Sequence, residues 1–364
     1  MNHKLLYGLF FFFLCACQPQ GQETASTDTA QPERPKNVIL LIGDGMGLTQ
    51  VTTRFYYGEG QPNFQRFPYV GLIKTSSSSH KITDSAAGAT AFSAGKKTYN
   101  GAIGVDADTV AAPTIIELVA DNLSTGLVAT SSITHATPAS FFAHVASRSQ
   151  NEDIAAQLPG SSVDFFAGGG LQFFSGREDG LNYYDSLTQQ GFIMDSTALQ
   201  RPSTLALDQK YGFLLAPDGL PKMQEGRGDF LPQATQMALD YLSQDEDGFF
   251  LMAEGSQIDW GGHNNDFEYI IEEVKDFDKT LGVALDFAEK NGNTLVVVTA
   301  DHETGGFALS GGDSYNELAG TFSTGSHTAD LIPVFAFGPG AEAFTGIYEN
   351  TEIFDKILDA TGWK

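Results

Sequence analysis

Ser85 heads a run of small residues, Thr83-Asp84-Ser85-Ala86-Ala87-Gly88, where it would open a helix. A developing negative charge on its oxygen would then feel the positive helix end. Such a serine is either a nucleophile or an N-cap. Without a general-base histidine beside it, a nucleophile here needs another activator, which a metal ion supplies. Candidate ligands recur along the chain. Asp44 sits in Gly43-Asp44-Gly45-Met46-Gly47, either as the capping carboxylate of a glycine turn or as an ion ligand. Glu254, Asp259 and His263 share one segment, and the i, i+4 spacing of the last two puts both on one helical face. Gly261 and Gly262 weaken that helix. Asp301-His302 and His327 complete the set. Imidazole with carboxylate suits a catalytic zinc, and a site of oxygen donors suits magnesium. Arg148, in a segment that also carries Thr137, is a surface cation or a guanidinium fork for two phosphate oxygens.

These residues follow the ends of apolar runs. Asn37–Ile42, Gly126–Thr130, Phe249–Ala253, Thr294–Thr299 and Ile332–Phe337 read as buried strands. Helix-like stretches at Thr114–Asp121, Leu231–Leu242 and Tyr269–Lys290 lie between them. The alternation predicts an α/β fold, a central mostly parallel sheet sandwiched by helices. In such sheets ligands bind beyond the carboxyl ends of the strands. Residues 158–227 read as an irregular excursion and 304–325 as a glycine-rich loop insertion, both within one catalytic domain spanning 36–364.

The 364 residues include 41% hydrophobic side chains, enough for a sizeable core. With 45 acidic against 20 basic residues the formal charge is −25, which argues against a nucleic-acid surface. Any anion site must therefore be locally positive. Residues 1–16 read as a signal peptide, with an apolar run Leu5–Leu14 too short for an ordinary span. Leu14-Cys15-Ala16-Cys17 resembles a lipobox with Cys17 as the lipidated residue; an ordinary cleavage nearby is the other reading. Residues 17–35 read as a flexible tether. Both cysteines lie in this leader, so a metal in the catalytic domain is held by His and carboxylates.

Taken in order, IGDGMG, TDSAAGATAFSAG, THATPASFFAH, EGSQIDWGGH, TADHETGGF and GSHT resemble the alkaline phosphatase family from about Pro35 to Trp363. The resemblance implies a phosphate monoesterase and a homodimer, while membrane contact is expected only through the lipid anchor that the lipobox suggests. It implies one zinc on Asp259, His263 and His327, a second on Asp44, Asp301 and His302, and magnesium on Asp44, Thr137 and Glu254. Ser85 would attack phosphorus in line, with Arg148 holding the phosphoryl oxygens. Water would then release inorganic phosphate with overall retention. Two positions depart from some members. His135 stands where certain bacterial enzymes carry Asp near magnesium, and Trp260 where they carry Lys contacting phosphate through water.

Three rival functions fit parts of this pattern. A phosphodiesterase or phosphonate hydrolase of the same superfamily would use the same metals, although Arg148, Thr137 and Glu254 favour monoesters. A surface lipoprotein that binds zinc or phosphate without turnover would lack a nucleophile or clamp, and neither is lacking. A sulfatase needs Cys/Ser-x-Pro-x-Arg, whereas Ser85 is followed by Ala-Ala-Gly.

Overall fold

The run Asn37–Gly43 forms strand β1, buried along its whole length. A strand covered on both faces needs no polar alternate, which is why the run is continuously apolar up to Ile42. The computed structural model describes residues 34–314 and 316–363 together with Met1. The signal segment, Cys17 and all but the end of the tether lie outside the described residues.

The remaining strands are β2 (Tyr69–Lys74), β3 (Ser124–Ser132), β4 (Phe165–Gly169), β5 (Phe192–Asp195) and β6 (Lys210–Leu214). They continue with β7 (Phe249–Gly255), β8 (Thr294–Thr299), β9 (Phe307–Gly311), β10 (Leu318–Phe322), β11 (Ile332–Phe337) and β12 (Gly346–Glu349). Ten of them form one sheet in the order β12-β2-β11-β8-β1-β7-β3-β4-β6-β5. Every pairing from β8 through β5 is parallel. Only β11 runs against its neighbours β8 and β2. Helices flank the sheet, as the alternation of elements predicts. The longest, Phe267–Asn291, is capped by Asp266, whose side chain accepts from the Tyr269 amide, and ends at left-handed Gly292. Among the described residues, no helix is long and apolar enough to cross a membrane.

Two expectations change. Residues 158–227 are no irregular excursion, since they contribute β4, β5 and β6 to the central sheet. These strands are only four or five residues long, and β4 and β6 contain glycine, as in Phe165-Phe166-Ala167-Gly168-Gly169, so they carry no long apolar run. The glycine-rich stretch 304–325 also holds structure, the antiparallel pair β9 and β10. Phe307 and Phe322 face each other there with ring centroids 5.1 Å apart, an aromatic cross-strand contact that offsets the glycines.

The sheet order matters for chemistry because β8, β1, β7 and β3 are neighbours. Asp44 follows β1, Glu254 is the penultimate residue of β7, Asp301 and His302 follow β8, and His135 and Thr137 follow β3. Parallel strands bring these ends to one edge of the sheet. Residues more than 200 positions apart in sequence thereby meet.

Candidate active site

Ser85 is the first residue of the helix Ser85–Ala94, and it is buried. It is not the cap. Asp84 is, with its Oδ1 accepting from the Ala87 amide at 3.1 Å. Ser85 Oγ is thereby free to point elsewhere, and lies 3.3 Å from His302 Nε2. The helix comes close to the end of β8 because it is built of small residues. A Cβ on Gly88 would stand 2.8 Å from Asp301 Cβ.

Around His302 Nε2 stand Asp301 Oδ2 at 3.2 Å and Asp44 Oδ1 at 3.5 Å. All three side chains are fully buried. Both carboxylate oxygens of Asp44, and Oδ2 of Asp301, have no hydrogen-bond partner among the described residues. Leaving buried acceptors unpaired costs several kcal/mol in sum, so this cluster is built for a cation or protons. Burial, then the charges of Asp301, Asp259 and Glu254, hold Asp44 well above the usual carboxylate range. Burial also raises Asp301. It pushes His302 well below the ordinary imidazole value, with His327 adding to the effect, so the ring is neutral.

A second group lies at the open side. Asp259 Oδ1 is 3.4 Å from His263 Nε2 and 3.7 Å from His327 Nε2, and the two Nε2 atoms are 3.1 Å apart. Donors about 2.0–2.1 Å from a tetrahedral zinc are roughly 3.3 Å from one another, so this triangle has the right size. Both rings are oriented by carbonyls. His263 Nδ1 donates to Gly325 O at 2.8 Å, and His327 Nδ1 donates to Thr83 O at 2.9 Å. A carbonyl only accepts, so each Nδ1 carries a hydrogen, which leaves the inward-facing Nε2 of each ring as the atom available to an ion. The helix that carries Asp259 and His263, Gln257–His263, forms despite Gly261 and Gly262. Its His263 side chain is 39% exposed, which marks the solvent side of the site.

A third group is formed by Asp44, Glu254 and His135, whose donor atoms lie within 4.8 Å of one another. Among the described residues Glu254 Oε1 has no hydrogen-bond partner, and the Thr137 hydroxyl stands beside this carboxylate without a hydrogen bond of good geometry. Burial first, with Asp301 adding to it, pushes Glu254 up to about 8. Burial, then the charge of Arg148, lowers His135 to about 3, so this ring is neutral at any working pH. His135 meets Trp260 edge-on with centroids 6.1 Å apart.

Arg148 belongs to the same site. Its Nη1 donates to Asp84 Oδ2 at 3.1 Å, and Nη2 lies 3.3 Å from His135 Nε2. The Gly101 amide donates to both Asp84 oxygens, and the Arg148 amide donates to Gly101 O at 2.7 Å. The guanidinium, 29% exposed, is thus hung from the residue next to Ser85. Sequence reasoning did not link Asp84 with Arg148. The two are 64 residues apart, and their pairing depends on how the Gly101 loop folds back. Thr304 was not singled out either, for the same reason.

A buried serine beside three carboxylate and imidazole clusters at the carboxyl ends of parallel strands is the arrangement of a metal-assisted phosphomonoesterase. The alkaline phosphatase family model matches residues 35–318, and the chain belongs to that family. It is 54% identical to the alkaline phosphatase of the Antarctic bacterium TAB5, over 92% of this chain and all of that one, with a TM-score of 0.90. Alkaline phosphatase 3 of Bacillus subtilis is 34% identical, over 89% of this chain and 88% of its own. The Escherichia coli alkaline phosphatase is 31% identical over 94% and 90%.

Proposed function

We propose that the chain hydrolyses phosphate monoesters through a phosphoserine at Ser85, with two zinc ions and one magnesium ion. Asp259, His263 and His327 would hold one zinc; Asp44, Asp301 and His302 the other. Asp44, Thr137 and Glu254 would hold magnesium, where the donors are all oxygens. A structure of a TAB5 enzyme variant with Mg bound in its M3 site supports a third position. The observation that carries the reading is the Ser85 hydroxyl, 3.3 Å from Nε2 of a neutral His302, which itself lies 3.2 Å from an Asp301 oxygen without a hydrogen-bond partner among the described residues.

Zinc ions, when bound, supply Lewis-acid stabilisation of entering and departing oxygens. The chain's own residues do the rest. Ser85 Oγ forms a bond to phosphorus as the ester P–O bond breaks, and the alcohol leaves with a proton. The amino end of its helix favours the charge that develops on Oγ. Arg148 grips two phosphoryl oxygens through its fork, aimed by Asp84. Water then attacks the phosphoserine, the P–Oγ bond breaks, and Ser85 regains its proton as inorganic phosphate departs.

Turnover of p-nitrophenyl phosphate against its bis-ester, with and without chelator, tests this. The monoester is expected to be hydrolysed far faster, with activity lost on chelation and restored by zinc and magnesium. Faster turnover of the bis-ester would favour the diesterase reading instead. The resemblance also supports a homodimer, and the lipobox supports a periplasmic or cell-surface lipoprotein anchored at Cys17. Cys17→Ser should release the enzyme from the membrane fraction; unchanged fractionation would remove the anchor.

A further inference from the structure

The Thr304 hydroxyl touches one member of each proposed zinc-ligand group. Its Oγ1 makes a short hydrogen bond with Asp259 Oδ1, and it lies 3.2 Å from His302 Nδ1. The directions of these two bonds are fixed by chemistry. A carboxylate oxygen only accepts, so the Thr304 proton goes to Asp259. The hydroxyl then has only lone pairs to offer His302, whose Nδ1 must carry the ring hydrogen. A neutral imidazole has a single N–H, so Nε2 keeps its lone pair. That atom is the one facing Asp301, Asp44 and Ser85.

Thr304 is also held from three sides. Its amide donates to Gly45 O at 3.2 Å, its carbonyl accepts from Gln50 Nε2 at 2.9 Å, and its backbone bridges to His327. Gly45 leaves the hydroxyl its space. At φ +72° this residue favours glycine, and a Cβ there would come within 2.8 Å of Thr304 Oγ1. The side chain itself is fully buried, so no water competes for its bonds.

We infer that Thr304 is a positioning residue that couples the two zinc-ligand groups, orienting Asp259 in one and fixing the ring tautomer of His302 in the other. The inference rests on the two-zinc reading. Removing the hydroxyl leaves Asp259 Oδ1 without this donor and the His302 Nδ1–H without this acceptor. Both groups should therefore loosen together, although only one side chain has changed.

The test strips the full-length wild type, Thr304→Val and Thr304→Ser with chelator, then titrates each with zinc against a chromophoric competitor. Wild type should take up two tightly bound ions. Thr304→Val should weaken both on the order of 10–100-fold, the size usual for an outer-shell partner. Thr304→Ser, which keeps the hydroxyl, should restore both to within a few-fold. A wild type that binds no pair of zinc ions overturns the two-zinc reading and this inference with it. A wild type that binds two, with a Val variant weakened at one ion or at neither, overturns the coupling alone. Should the Val variant fail to fold, ring nitrogen-15 spectra of zinc-loaded wild type decide. A hydrogen-bonded proton on His302 Nδ1 is expected, and a bare Nδ1 would contradict the inference.

Discussion

Glu254→Gln offers a test of the site that needs no substrate. In metal-free protein, burial holds Glu254 at about 8 against an unfolded value of 4.5. Its folded-state value is raised, so the folded apo-protein binds a proton that the unfolded chain has released. The associated stability is full below about pH 4.5 and is lost as pH rises toward 8. Between pH 5 and 8 the linkage integrates to roughly 3–4 kcal/mol, at 1.36 kcal/mol per unit. Other carboxylates titrate too, which is why the difference between two proteins is the useful quantity. Glutamine does not titrate, so apo Glu254→Gln should gain about 3–4 kcal/mol on apo wild type across that range. Urea unfolding of both proteins in chelator at four pH values measures it. With zinc and magnesium restored, a cation takes the proton's place, and the wild-type slope should flatten. Parallel pH profiles of the two apo-proteins would refute the picture of a carboxylate cluster kept neutral for want of a cation.

Two further outcomes concern the phosphate. Arg148→Ala should weaken inhibition by inorganic phosphate about 30–150-fold, the equivalent of the 2–3 kcal/mol lost with a charge-assisted pair; unchanged inhibition would remove Arg148 from the site. His135 is neutral beside Arg148, and Trp260 brings no charge, so product phosphate should be bound loosely. The double change His135→Asp with Trp260→Lys should tighten phosphate inhibition and increase magnesium activation. Equal inhibition constants and equal magnesium responses would show that these side chains do not tune the site.

How far the sequence reached depended on what kind of signal each part carries. β1, β7, β8 and β11 were legible because strands buried on both faces need continuous apolar runs. Tyr69–Lys74 and Gly346–Glu349 were not, since these strands alternate exposure or lie at the edge. Lys210–Leu214 was missed because five residues around a glycine make no run. In the site, Asp44, Glu254, Asp301 and His302 stood out because reactive residue types followed strand ends one after another. The contacts between them were not legible. Nothing in Thr304 distinguishes it from any other threonine until Gly45 and Asp259 are brought beside it. The same holds for Asp84, which caps its helix while also carrying Arg148.

The proposed reaction requires the phosphoryl group to pass through Ser85. Acid-quenching the enzyme during turnover of phosphorus-labelled monoester, then mapping the label, tests it most directly. Wild type should retain acid-stable label on the peptide containing Ser85, and Ser85→Ala should retain none while turning over several decades more slowly. Label of equal amount on Ser85→Ala, or wild-type label on another residue, would contradict the account.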